Sequence, residues 1–161
     1  MEHSADPVFI LRCLQEYLDQ EVEPIWSESH PSLLIDNSFP AGKLRFRVGL
    51  VEDGEVLSFA QVQHATVFDL PGLVLHLAYA VRENHRQKGL GEKTLRCMLD
   101  ELKRYLKSIG LEQFVLMALI DHDNLPSQAV IKRFIHAAPI EEIDGDTGLP
   151  VLLYATQIQL S

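Results

Sequence analysis

Residues 73–91 read LVLHLAYAVRENHRQKGLG, an apolar run followed without a break by a short basic loop that ends in two glycines. Leu73–Val81 is apolar on both alternating faces, which predicts a strand in the middle of a sheet. Beyond Gly91 the pattern changes to a helical period. Leu95, Met98, Leu99, Leu102, Leu106 and Ile109 form one stripe, opposed by Glu92, Arg96, Asp100, Lys103 and Lys107, and Gly110 stops it. The loop Arg86-Gln87-Lys88-Gly89-Leu90-Gly91 therefore opens a helix directly after a buried strand. Helix N-termini carry unpaired N–H groups and a partial positive charge. Glycines at 89 and 91 remove side chains that would hold a phosphate off that backbone, and Arg86 and Lys88 add charge, so the loop suits a pyrophosphate. A dinucleotide fingerprint needs a third glycine where Thr94 stands, and a nucleotide-hydrolase loop needs Gly-Lys-Ser or Gly-Lys-Thr; both fail on residues.

Outward from this stretch, the periodicities give the rest of the order. Asp6-Pro7 predicts an N-cap and first turn, with Leu11, Leu14, Leu18, Val22 and Ile25 at helical spacing until Pro24. Residues 26–43 read as irregular, with at most one short helix. Leu44, Phe46, Val48 and Leu50 alternate with Arg45, Arg47 and Gly49, predicting a half-buried strand, and Asp53-Gly54 predicts a hairpin turn. A strand over about 56–68 and a turn at Leu70-Pro71-Gly72 lead to the central strand. Phe114–Ile120 predicts a buried strand, Asn124 and Pro126 start a helix ending near Phe134 or Ile135, and 139–144 with 151–158 predict a closing hairpin. The expectation is a single α+β domain over 1–161: a helix and acceptor-side segment in 1–43, and in 44–161 a mixed, mostly antiparallel sheet flanked by helices.

Two motifs together resemble the GNAT superfamily of acetyl-CoA-dependent N-acetyltransferases. Val81 to Gly91 is similar to that family's coenzyme-binding motif, with His85 in place of the usual aromatic and Glu83 where Pro is common. Asn124, Ser127 and Phe134 follow the next strand at the family's second spacing. The resemblance covers about residues 44–158. It implies acetyl-CoA as co-substrate, held by Tyr79, Ala80, Val81, Arg86, Gln87, Lys88, Gly89, Leu90, Gly91, Glu92 and Asn124. It also implies direct attack of a primary amine, from a small molecule or peptide, on the thioester. A Tyr seven residues after the Asn, proposed to protonate the leaving thiolate, is Ile131 here. That substitution motivates the alternative of a coenzyme A-binding regulatory module without turnover; a non-catalytic interaction domain is a third reading, against which the Arg86–Gly91 loop argues.

A proton must leave the ammonium for a base. His76 and Tyr79 are the candidates on the central strand, with His64 next; His76 and Tyr79 differ in parity, so one strand face takes only one of them. Glu23, Trp26, Glu28 and Asp36 lie where the family tends to build an acceptor wall, although solvated loop acids and a packing Trp account for them too. Asp121-His122-Asp123 reads as a turn and cap. The seven histidines have no metal-ligand spacing, so no metal is expected. Lys plus Arg number 14 against 23 Asp plus Glu, a formal net charge of -9 with the basic residues scattered, which disfavours nucleic acid. Two separated cysteines, no leader pattern and no long apolar run predict a cytoplasmic protein without membrane contact. The oligomeric state is open, a homodimer included.

Overall fold

The computed structural model describes residues 6–21, 23–65 and 72–160. By internal contacts the chain divides into two compact units: residues up to Gln63 with Ala78–Leu106, and His64–Leu77 with Lys107 onward. Among the described residues eight strands, taken below in chain order, form a mixed sheet.

The first unit begins with α1 (Pro7–Asp19), capped by the Asp6 carboxylate, which accepts from the Val8 N–H at 3.0 Å. The helix stops earlier than its apolar stripe predicts. Gln20 is already extended, and Ile25 lies on a short strand, β1 (Ile25–Trp26), 59% exposed. Pro24 keeps the helix from resuming before β1, because it lacks an N–H and disfavours helix at the preceding residue.

The segment read as irregular holds a second strand, β2 (Leu33–Ser38), antiparallel to β3 (Arg45–Glu52), and a 3-10 turn at Pro40–Gly42. Leu33 and Leu34 are both fully buried, so β2 enters apolar on both faces and its sequence lacks the alternation that marks a half-exposed strand. The hairpin from β3 to β4 (Glu55–Ala65) forms as expected, with Asp53 and Gly54 both at positive φ (51° and 76°). The expected extension of that strand to Phe68 and the turn at Leu70-Pro71 lie outside the described residues.

Helix α1 buries Ile10, Leu11 and Leu14 against Leu34, Val56 and Phe59 on one face of this sheet. The opposite face carries Phe46, Val48 and Leu50 and receives α2 (Leu90–Ser108), where Phe46 stacks on Tyr105 at 5.9 Å between ring centroids. Ser27 hydrogen-bonds Glu101, which also pairs with Arg104 at 2.9 Å, and this ties the β1–β2 connection to α2. Ile109, the last residue of the predicted stripe, lies beyond the helix and is exposed.

In the second unit, the first half of β5 (Val74–Val81) pairs in parallel with β6 (Gln113–Asp121), from Val74↔Val115 to Leu77↔Ala118. Strand β6 pairs antiparallel with β8 (Pro150–Gln159) over nine residues, and β7 (Ile140–Ile143) closes the edge. Between β6 and β7 runs α3 (Leu125–Ile131), whose last turn continues through Phe134 and Ile135 N–H bonds to the Ile131 carbonyl.

Candidate active site

The loop joining β5 to α2 is built on left-handed backbone. Gln87 (φ 64°) and Gly89 (φ 74°) bracket Lys88, and Lys93 N–H donates to the Gly89 carbonyl at 3.2 Å as the helix begins. An L-residue in that conformation costs about 1–2 kcal/mol, which glycine avoids. Alternation of left-handed and ordinary residues turns successive N–H groups toward one concavity, an arrangement that binds anions. A Cβ built on Gly89 meets nothing within 4 Å, so its surroundings are open. A pyrophosphate bound here would be held by backbone shape as well as by charge.

Gly91 meets a packing need that its sequence does not reveal. It is buried, and a Cβ there would lie 3.0 Å from Cε2 of Tyr79, 3.4 Å from Cδ2 and 3.6 Å from Cγ2 of Val81. The glycine lets the first turn of α2 lie against the end of β5. Tyr79 and Val81 therefore point toward α2, and Ala80, of opposite parity, packs toward the α1 cluster.

Arg82, His85 and Arg86 are tied to the frame of the loop. Arg86 Nε donates to the Val81 carbonyl at 3.2 Å, and Arg82 Nε donates to the Val56 carbonyl at 2.9 Å. His85 and Arg82 share Glu55, at 3.1 and 3.8 Å. Two buried hydroxyls, unnoticed in the sequence, complete the support. Thr94 donates to the Leu90 carbonyl at 2.6 Å and shares a 2.6 Å hydrogen bond with Ser58 of β4. The position that excludes a dinucleotide fingerprint thus anchors the helix start.

A cleft of about 550 Å³ lies beside this end of β5, between α1 residues (Leu11, Arg12, Gln15) and Ala80, Val81 and Arg86. His76 shares the parity of Ala80, whereas Tyr79 faces α2. The two candidate bases thus stand on opposite faces of the strand.

Burial pushes the His76 imidazole below its ordinary 6.5, which keeps it neutral near pH 7. In the unfolded chain the group titrates near 6.5, so below that pH the unfolded state binds more protons and folding loses stability as the pH drops. The contribution is constant above 6.5. Thermal melts from about pH 7.5 down to about pH 5 should fall more steeply for the wild type than for His76→Gln, and equal slopes would remove the buried-neutral assignment.

His64 is half-buried, with its Nδ1 unpaired. Asn124 is exposed and caps α3, its Oδ1 accepting from Ser127 N–H at 3.2 Å. Gln128, also missed, donates to the carbonyls of Asp121 and His122 at 3.1 and 2.9 Å and fixes the chain ahead of that cap. Ile131 is fully buried. Ile131→Tyr should therefore overpack the second unit, lowering stability by about 1–3 kcal/mol in a thermal melt, without a gain in single-turnover rate.

Trp26 is half-buried and packs against the α1 cluster, while Glu23 and Glu28 are exposed. Cys97 is buried beside the His30 imidazole (3.5 Å), and desolvation, with the Asp100 charge next, pushes its thiol up and keeps it protonated. Among the described residues no group of three or more His, Cys, Asp or Glu converges as a metal site, and no helix is long and apolar enough to cross a membrane.

Solved structures with this fold include a protein from Bordetella pertussis assigned to the GNAT acetyltransferases, 22% identical over 70% of this chain and 64% of its own, TM-score 0.54. A ribosomal-protein-alanine N-acetyltransferase from Brucella melitensis is 19% identical over 71% and 69%, TM-score 0.54. Salmonella typhimurium yncA, solved with acetyl-CoA, is 24% identical over 73% and 65%, TM-score 0.53. The chain spans less than two thirds of the Bordetella and Salmonella proteins, and at these identities the likeness is one of fold. A comparison with curated proteins finds no match. A sequence model of the acetyltransferase (GNAT) family matches residues 11–135, most of the chain and the whole of the loop and its supporting elements, and the chain belongs to that family.

Proposed function

We propose that the chain is an N-acyltransferase that moves an acetyl group from acetyl-CoA to a primary amine within one ternary complex. The observation that carries this reading is the left-handed Gln87–Gly89 loop at the start of α2, a backbone cradle for a pyrophosphate. In this reading Gln87 to Glu92 hold the phosphates, Arg86 and Lys88 supply charge, Asn124 assists, and the arm of the coenzyme runs along Tyr79 to Val81. Acetyl-CoA brings an acyl group activated as a thioester. The amine nitrogen forms the new C–N bond as the C–S bond breaks, and a backbone N–H near Ala80 or Val81 supports the charge gained by the carbonyl oxygen.

His76, neutral near pH 7, is the base we assign to the ammonium proton, directly or through water. Coenzyme A leaves as a thiolate that solvent can protonate, since a thiol pKa near 8.5 makes it a tolerable leaving group. Buried Ile131 favours one alternative, a coenzyme-binding module without turnover.

Calorimetry with acetyl-CoA, followed by thiol release across polyamines, aminoglycosides, amino acids and peptides, separates these readings. Binding with acetyl transfer supports the enzyme, and binding with no transfer to any amine supports the module. Absence of binding removes both.

A further inference from the structure

Strands β2, β3 and β4 carry two polar rows on the face that α1 covers farther along. In register, Asp36, Arg47 and Gln61 form one row, and Ser38, Arg45 and Gln63 the next. Leu34, Gly49 and Phe59, two residues back, belong to the apolar patch under α1. The sequence read Arg47 as the outer face of a half-buried strand, yet Arg47 is only 2% exposed and Gln61 only 4%.

Arg47 Nε donates to Gln61 Oε1 at 2.8 Å, while its Nη2 is buried with no hydrogen-bond partner. Among the described residues no carboxylate lies within ion-pair distance of Arg47. Asp36 attracts it from the same row without closing a pair. Desolvation above all, and then repulsion from Arg45, lower its pKa. Arg45 is itself turned sideways, its Nε donating to Ser38 Oγ at 3.1 Å.

Arginine is almost never buried unless paired, because a desolvated cation without an anion is costly. Here two arginines stand two residues apart on one face of β3, with their backbones about 7 Å apart, and the one carboxylate of these two rows, Asp36, closes no pair with Arg47. Structural needs explain little of this arrangement, since a Met of similar length would fill the space without a buried charge and leave only the Gln61 amide to find another partner. An anion arriving from outside the chain does explain it, and a planar carboxylate matches the fork of the buried guanidinium.

We propose that Arg47, positioned by Gln61 and seconded by Arg45, binds a carboxylate of the acceptor, so that the acceptor class is amino acids or peptides with a free carboxylate rather than polyamines or aminoglycosides. The assignment of that carboxylate to an acceptor rests on the acyltransferase reading above; the anion site itself does not.

The test pairs free acids with their carboxamides (alanine, phenylalanine, lysine and glutamate, each against its amide) on the whole chain, wild type and Arg47→Met. Without cofactor, thermal melts should show that the acids raise the wild-type melting temperature and the amides do not. Arg47→Met should melt no lower than wild type and lose the response. In turnover with acetyl-CoA, kcat/KM should favour at least one acid over its amide by about tenfold or more, and Arg47→Met should erase that preference.

Arg47→Met that melts far lower or fails to fold marks a structural arginine and overturns the proposal. So do equal responses to acids and amides in the wild type, which need no variant. Calorimetry with acetyl-CoA reports the acyltransferase reading separately. If the acids bind through Arg47 but acetyl-CoA does not bind, the function fails and the anion site stands. If acetyl-CoA binds and amides or polyamines are acetylated at least as well as every acid, the function stands and the carboxylate site falls.

Discussion

Gly89→Glu should lose acetyl-CoA affinity by about 10³-fold while the protein stays folded. Two effects act at this position, and they separate cleanly. The backbone is left-handed (φ 74°), so any L-residue pays about 1–2 kcal/mol of strain in the folded state. The space around the Cβ is empty to 4 Å, so a larger side chain meets no steric barrier from the protein. The remaining effect is electrostatic: a carboxylate held near the proposed phosphates repels them, and like charges about 4 Å apart at a protein surface cost roughly 4 kcal/mol.

Gly89→Ala carries the strain without the charge and provides the control. Both variants should melt a few degrees lower than wild type and by similar amounts. Only Glu should collapse binding in calorimetry, and added salt should narrow the gap between them as screening takes hold. If Gly89→Glu is folded and binds acetyl-CoA like Gly89→Ala, the phosphates lie elsewhere.

The elements legible in the sequence are those whose side chains follow one period. Strand β5, helix α2, the β3–β4 hairpin and the β6 to β8 order fall close to where periodicity placed them. What escaped had a physical reason to escape. Strand β2 is buried on both faces by Leu33 and Leu34, so its six residues show no alternation, and the polar Asp36-Asn37-Ser38 end makes it look like loop. The apolar spacing runs past the end of α1 because Leu18, Val22 and Ile25 keep the helical period up to and across Pro24, although the helix ends at Asp19.

In the loop before α2 the two glycines are legible in the sequence, but what each does for the backbone is not. Nothing in a Gly-x-Gly spacing tells a glycine needed for its φ angle from one needed for its missing Cβ; that depends on Tyr79 being twelve residues earlier and across the space between strand and helix. Ser58 and Thr94 are 36 residues apart and hydrogen-bonded, a pairing that no local pattern encodes. Arg47 illustrates the opposite failure. Strand alternation assigned it correctly to the face opposite Phe46 and Val48, but alternation cannot say that β2, β4 and α1 bury that face as well.

The second large effect should come from Gly91, and here stability and binding are expected to part. In an open helix, replacing Gly with Ala gains roughly 0.5–1 kcal/mol, because glycine pays more backbone entropy. At position 91 the sign should reverse. The added Cβ meets the Tyr79 ring at 3.0 Å, and Val adds two further methyl groups on the same side. Overpacking of this kind costs about 1–3 kcal/mol, so Gly91→Ala should lower the melting temperature and Gly91→Val should lower it further.

Tyr79→Ala leaves a hole of its own, but it removes the atoms that collide. The double variant Tyr79→Ala with Gly91→Val should therefore be less destabilised than the sum of the singles, with a coupling of about 0.5–3 kcal/mol. Strict additivity in denaturant melts would mean that the ring and the glycine do not meet. Acetyl-CoA affinity in the double variant then decides what else the glycine does. Recovery of both stability and affinity makes Gly91 a packing glycine whose only service to the ligand is to seat the helix. Recovery of stability with affinity still lost means that the Val side chain also obstructs the phosphates, and that Gly91 serves the sheet and the cofactor from the same missing Cβ.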